Sequence, residues 1–275
     1  MFKFAKPLEG NDGNDRQRVA LVTGAASGLG LELALLLARD NYSQILVDVD
    51  EQNLLDAKKK VAAISDAPIQ LIVKDLSQPN VADELMDIIE DRPIDVLVNN
   101  AGFGIFGSFN DTDWERESEM LNLHIMTTTH LTKHILKGMV ARGSGKILNM
   151  SSLAAFQPGP LMSLYYASKA YILSFSEAIA NELKGTGVTV TVLCPGQTKT
   201  HFQDVVSEGC AKNKISFNMG CPKEVALYGY EAMLRGKIVA IPGTINQFLS
   251  KLPRFVSRRT ATAIIRKIQE KNRAV

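Results

Sequence analysis

The side chains with the most specific chemistry are Ser151-Ser152 and, further on, Tyr165-Tyr166-Ala167-Ser168-Lys169. Tyr165 and Lys169 stand four apart at the start of a predicted helix, so they project from one face. Tyrosine is a weak acid of pKa about 10. A neighbouring ammonium and the positive end of a helix would stabilise its phenolate, which makes a proton shuttle near neutral pH. Ser152 lies just past a predicted strand, and its hydroxyl can hold a carbonyl or hydroxyl oxygen beside the phenol.

A second constellation is Thr23-Gly24-Ala25-Ala26-Ser27-Gly28-Leu29-Gly30, between a predicted strand and a strongly apolar helix. Its glycines let backbone N–H groups approach an anionic pyrophosphate at the positive end of that helix. The spacing is GxxxGxG, not the GxGxxG of the common dinucleotide fingerprint. Asp48 ends the second predicted strand, where a carboxylate accepts hydrogen bonds from ribose hydroxyls and repels a 2′-phosphate. Val49 offers no guanidinium in its place, so NAD is expected over NADP.

These residues need a parallel sheet to hold them. Short β-branched runs at 19–23, 45–48, 69–73, 94–98, 146–150, 188–193 and 238–241 read as strands, and segments of helical period lie between them. Predicted helices include Leu29–Arg39, one continuous helix Asp113–Ala141, and Tyr165–Lys184. Alternation of this kind means an α/β fold with a parallel sheet covered on both faces. The expected organisation is a flexible arm over 1–17, a catalytic domain over 18–250 and a basic amphipathic extension over 251–275.

The chain has 275 residues, 45% hydrophobic and 22% charged, with a net charge of +2, a balance that excludes a disordered, collagenous or disulfide-stapled chain. No apolar run is long enough to span a bilayer, and the start has no signal-like apolar stretch, so a cytoplasmic location is expected. Cys194, Cys210 and Cys221 read as reduced thiols. His130 and His134 share a helix face, but no third ligand accompanies them in sequence, so no metal is expected.

The ordered motifs resemble the short-chain dehydrogenase/reductase family in its single-domain branch, from about Arg18 to about Pro242. They are TGxxxGxG (Thr23 to Gly30), Asp75-Leu76, Asn99-Asn100-Ala101-Gly102, the helix asparagine Asn122, Ser152, YxxxK (Tyr165, Lys169) and Pro195-Gly196 with Thr200 behind it. The resemblance implies a Rossmann-type, doubly wound sheet of seven parallel strands in the order 3-2-1-4-5-6-7. It also implies a nicotinamide cofactor, hydride transfer at a carbonyl or alcohol carbon, and a homodimer or homotetramer. Tyr165 would be the general acid/base, and Ser152 would polarise the substrate oxygen. Lys169 would bind the nicotinamide ribose and lower the Tyr165 pKa, and Asn122 would anchor a water in the proton relay. The cofactor-binding set is Thr23, Gly24, Ala26, Ser27, Gly28, Leu29, Gly30, Asp48, Asp75, Leu76, Asn99, Ala101, Gly102, Tyr165, Lys169, Pro195, Gly196, Thr198 and Thr200. Asp75 and Leu76 would face the adenine, Asn99 would shape the wall along the cofactor, and Thr200 would contact the carboxamide region.

The rest bears on substrate and partners. Asn99 and Asn100 have a structural alternative, closing the fourth strand through side-chain-to-backbone bonds. Tyr166 and Trp114 read as packing residues. Phe103, Ile105, Phe106, Phe156, Leu161 and Met162, with the apolar residues of 201–221, are expected to line a substrate mouth suited to an apolar or amphipathic molecule. The last 25 residues hold eight basic side chains against the single acid Glu270, a local balance of +7 that leaves −5 for the rest. Leu252, Phe255, Val256, Ile264, Ile265 and Ile268 run among those charges, the pattern of a helix that lies on an anionic membrane surface or packs on its own domain or a second subunit. No nucleic-acid module accompanies the charge. The sequence therefore reads as an NAD-dependent oxidoreductase interconverting an alcohol with a ketone or aldehyde. The alternatives are an NADP-dependent carbonyl reductase and a nucleotide-binding regulator or scaffold without turnover.

Overall fold

Successive residues of the first strand face opposite cores. In β1 (Val19–Thr23), Ala20 and Val22 join one apolar cluster, while Val19 and Leu21 join another. That period of two is what a strand buried on both faces must show. The structure, a computed structural model, describes residues 16–90, 92–198 and 220–272. β1 is joined by β2 (Ser43–Asp48), β3 (Ile69–Val73), β4 (Val96–Asn99), β5 (Gly145–Met150), β6 (Val188–Leu193) and β7 (Val239–Ala240). The sheet runs β3-β2-β1-β4-β5-β6-β7 with every pair parallel, the order implied by the resemblance. β4 begins two residues later than predicted, and β7 keeps only the middle of the predicted 238–241 run.

Helices α1 (Gly28–Arg39) and α2 (Glu51–Ala62) cover one face, together with α7 (Pro222–Leu234) late in the chain. The other face carries α3 (Val81–Ile89), Thr128–Arg142 and the end of Ser163–Glu182. The chain leaves β1 and β4 toward opposite ends of the sheet, so a crevice opens at their carboxyl ends, where ligands of such sheets bind. Arg16 and Gln17, the last residues of the expected arm, bond to Asp95 and to the Asn41 carbonyl.

One predicted element is corrected. The single helix expected over Asp113–Ala141 is three: α4 (Trp114–Leu121), a π-helical turn over Asn122–Thr127, and α5 (Thr128–Arg142). The wide turn brings Leu123, His124 and Thr127 inward together. The Thr127 hydroxyl then donates to the Leu76 carbonyl at 2.9 Å, and the Thr128 hydroxyl reaches the Leu123 carbonyl five residues back at 3.2 Å. Such π turns inside α-helices are frequent at functional sites. Trp114 does not pack the start of α4; it is 63% exposed.

Candidate active site

The glycine-rich turn is built by backbone demands. Gly24 has φ +65°, and a Cβ there would lie 2.8 Å from the Ala101 backbone. A Cβ on Gly30 would lie 1.9 Å from the Gly24 carbonyl oxygen, so α1 packs against its own entry loop only because that carbon is missing. Thr23 and Asn100 fix the loop from below. The Thr23 hydroxyl donates to the Val98 carbonyl and accepts from the Asn100 and Ala101 N–H groups, and the Asn100 amide donates to the carbonyls of Thr23 and Gly24. Ser27, the N-cap of α1, makes no side-chain cap bond, and the first turn holds no acid. A positive helix end therefore opens, without an internal anion, onto a cavity of about 610 Å³ lined by Ser27, Gly28 and Leu29.

That cavity runs along the carboxyl ends of the strands. Asp48, Val49, Asp75 and Leu76 line its far end, Ala101 and Gly102 its middle, and Ser152, Tyr165, Lys169, Pro195, Gly196 and Thr198 its near end. One Asp48 carboxylate oxygen accepts from the Ala26 N–H at 2.9 Å and the other from the Asp50 N–H at 3.1 Å. Asp75 accepts from Ser77 and Gln78; burial works to raise its pKa, but those bonds and the Arg116 charge hold it below the usual value.

Tyr165 and Lys169 sit on α6 (Ser163–Glu182), whose buried positions Tyr165, Ser168, Lys169, Ile172, Leu173 and Ser176 form one stripe of helical spacing. The helix thus carries Tyr165 and Lys169 on the same face that anchors it. Ser152 hydrogen-bonds Tyr165 and also accepts from the Ala154 N–H at 3.1 Å. Lys169 Nζ donates to the Met150 carbonyl at 3.1 Å and lies 5.7 Å from the centre of the Tyr165 ring. The expected lowering of the Tyr165 pKa is corrected for the protein alone. Burial dominates and holds the phenol well above its ordinary value, with the Ser152 bond working the other way. Burial likewise brings Lys169 down to about 8 from 10.5.

Several expected site residues stand elsewhere. Asn99 does not line the cavity: its amide donates to Thr132 and Asn149, and Asn149 donates to Ser176, a buried polar network tying β4 and β5 to α5 and α6. Thr23, Ala26 and Gly30 shape the loop without lining the cavity, and Asn122 opens the π turn without lining it. Thr200, Cys210 and the apolar residues of 201–219 lie outside the described residues. In the expected mouth, Phe103 and Met162 line the main cavity beside Tyr165, whereas Ile105 and Phe106 pack in the same cluster without lining it. Phe156 turns away to pack against Ile172 and Leu173, and Leu161 lines a separate small pocket. Tyr166 packs against the Tyr165 cluster, as expected, and also lines the main cavity.

The structure adds residues that the motifs leave out. Lys74 lines the far end beside Asp48 and pairs with Glu84. Its place follows from strand register, since Asp48 is opposite Val73. His124 is 1% exposed, edge-on to the Tyr165 ring at 5.9 Å between centroids. The Ser168 hydroxyl donates to the Tyr165 carbonyl, so at 2.9 Å it accepts from His124 Nδ1–H, which leaves His124 Nε2 a buried acceptor with no partner among the described residues. Burial, with the nearby Lys169 charge, holds His124 well below its ordinary pKa and hence neutral. Gln269, far along the chain, also lines the cavity, and its amide donates to the Tyr166 hydroxyl at 2.9 Å. Away from the site, Asp83 on α3 supplies the third group that His130 and His134 lack in sequence; the three ligand atoms lie within 4.8 Å of one another on the surface, and His134 Nε2 is 2.9 Å from the carboxylate.

Residues 18–211 match the family model described as short chain dehydrogenase. The chain is 30% identical over 254 residues to the ketoacyl reductase HetN of Nostoc, covering 90% of this chain and 87% of that one. It is 28% identical over 256 residues to 17-beta-hydroxysteroid dehydrogenase type 3 of Mus musculus, covering 91% and 83%. Among solved structures it is similar to a short-chain dehydrogenase from Sphingobium yanoikuyae in complex with NADPH, at 26% identity and a TM-score of 0.77, covering 87% of this chain and 96% of that one. The fold also matches that of a relative from Burkholderia phymatum in complex with NAD, with a TM-score of 0.77 at 23% identity, covering 87% and 93%.

Proposed function

Because the chain belongs to the short-chain dehydrogenase family of NAD(P)-dependent oxidoreductases, we propose that it interconverts an apolar ketone or aldehyde and its alcohol with NAD(H), using Tyr165 as general acid/base. The observation that carries this reading is the run of one cavity from the uncapped α1 N-terminus to the Ser152–Tyr165–Lys169 group. The bound dinucleotide supplies or accepts the hydride. The residues present fit it: the α1 N-terminus and glycine loop suit its pyrophosphate, Asp48 and Asp75 its adenosine end, Lys169 its other ribose, and Pro195, Gly196 and Thr198 the wall at the reacting end.

The protein's own groups do the proton work. Ser152 orients the substrate oxygen beside the Tyr165 hydroxyl. Tyr165, held protonated by burial, is the donor for reduction of a carbonyl. Lys169, beside the ring, stabilises the phenolate left behind. A scaffold without turnover would have no use for this set. Apolar specificity rests on Phe103 and Met162, which line the cavity and pack with Tyr165, and it agrees with the names of the ketoacyl and hydroxysteroid relatives.

Asp48 supports NAD, since a carboxylate at the end of the second strand accepts hydrogen bonds from ribose hydroxyls and repels a 2′-phosphate. NADPH is a second reading, favoured by Lys74 at the same end of the cavity. Turnover of a panel of aliphatic, acyl and steroidal carbonyls with NADH and NADPH tests both points. The reading expects oxidation of NADH in preference to NADPH on apolar members of the panel. Tight NADH binding without turnover on any member would contradict it.

A further inference from the structure

Helix α8 (Thr244–Lys251), the short turn Leu252–Arg254 and α9 (Arg258–Asn272) reverse the rule that the other helices obey. Ile245, Phe248, Leu249, Leu252, Phe255 and Val256 follow the spacing of a buried helical stripe, yet all six are exposed, Phe248 at 64% and Phe255 at 83%. The one buried residue of α8 is a serine, Ser250. The stripe starts in α8, ahead of the basic segment, and continues into it, so apolar and basic groups share one surface. Lys251, Arg254, Arg258 and Arg259 flank the two phenylalanines and form no ion pair among the described residues, whereas Arg266 is paired with Glu270.

The other side of these helices belongs to the cavity. Gln269 of α9 lines it and bonds Tyr166, with Met162 Sδ 3.8 Å away. Asn246 of α8 lies so close behind Gly196 that a Cβ on that glycine would sit 3.1 Å from its amide.

We propose that the outer surface of α8 and α9 docks this protein on an anionic lipid bilayer, with Phe248 and Phe255 entering the boundary between headgroups and acyl chains and the four free basic residues facing lipid phosphates. Charge complementarity selects this occupant. A second copy of the same surface would bring two strongly basic segments together, and a nucleic acid would leave the apolar stripe in water. Docked this way, the helices that wall the cavity lie at the interface where apolar carbonyl compounds concentrate. The binding claim stands apart from the hydride-transfer reading, because it is measured without cofactor or substrate.

The test is co-sedimentation of the full chain with vesicles of phosphatidylcholine alone and of equimolar phosphatidylcholine and phosphatidylglycerol. Binding is expected to the anionic vesicles only, weakening as salt is raised. Replacing Lys251, Arg254, Arg258 and Arg259 together by Gln should weaken it by roughly 10²-fold or more, since each basic residue near such a surface contributes about five-fold. The double variant Phe248→Ser, Phe255→Ser keeps every charge and should still lose most of the binding. The changes are on exposed positions, and unaltered thermal unfolding of both variants confirms the fold. Absence of the wild-type protein from the anionic pellet, or equal binding of either variant, overturns the proposal. So does loss of a dimer in the phenylalanine variant with vesicle binding unchanged, which would identify the stripe as a contact between copies.

Discussion

Replacing Lys169 with methionine should make the cofactor-free protein more stable at about pH 7 while removing its catalysis. Lys169 is 5% exposed, and burial brings its pKa down to about 8 from an ordinary 10.5. The unfolded chain therefore holds a proton between these values that the native chain has released. Native stability from this group rises as pH climbs through that window and is level on either side. At ~1.4 kcal/mol per tenfold change in proton affinity, carrying the charge costs the fold about 3 kcal/mol below the window. Methionine fills a similar volume without charge, but it leaves the Met150 carbonyl, bonded by Nζ at 3.1 Å, without its donor. That loss returns ~1–3 kcal/mol. The net gain near neutral pH is thus about 0–2 kcal/mol, or up to several degrees in Tm. Above the window the sign reverses, because the charge penalty has gone and the lost hydrogen bond remains. Thermal or urea unfolding of both proteins across this range, without cofactor, measures the difference directly. A variant less stable than wild type near neutrality, or a difference that does not change with pH, would refute the reasoning.

Other consequences are equally direct. Asp48→Ala should weaken NADH by roughly 10-fold to 10²-fold, the worth of hydrogen bonds to a charged acceptor, and shift preference toward NADPH now that no carboxylate at position 48 repels a 2′-phosphate; KM values for both cofactors report it. Gly30→Ala forces a Cβ to within 1.9 Å of the Gly24 carbonyl and should cost roughly 1–3 kcal/mol in urea unfolding, with weaker NADH binding. His124 is neutral and buried in the native state with a pKa well below 6.5, so the unfolded chain binds a proton that the native chain refuses as pH falls below that value. Stability should fall by ~1.4 kcal/mol per pH unit there, and His124→Leu should flatten that acid limb in urea titrations while wild type keeps it.

What could be read in the sequence was what local backbone and periodicity determine. The glycines of the nucleotide turn are demanded by local backbone, Gly24 and Gly28 by their positive φ and Gly30 by its approach to the Gly24 carbonyl six residues back, and the Tyr165–Lys169 pair lies on a stripe that one helix defines. Features made by tertiary contact were not readable. The π turn depends on Thr127 reaching Leu76, Lys74 meets Asp48 through strand register, and Asp83 meets His130 and His134 across two helices. Charge reasoning from neighbours also misjudged Tyr165, because an adjacent ammonium was visible in sequence but the burial that outweighs it was not.

The central claim is that Tyr165 moves the proton while a nicotinamide cofactor carries the hydride. Its most direct test compares Tyr165→Phe with wild type in two readings, NADH binding by fluorescence titration and turnover on the best carbonyl of the panel. The account predicts NADH affinity within a few-fold of wild type and a turnover lower by about 10² to 10⁴. Unchanged turnover in the variant would contradict it.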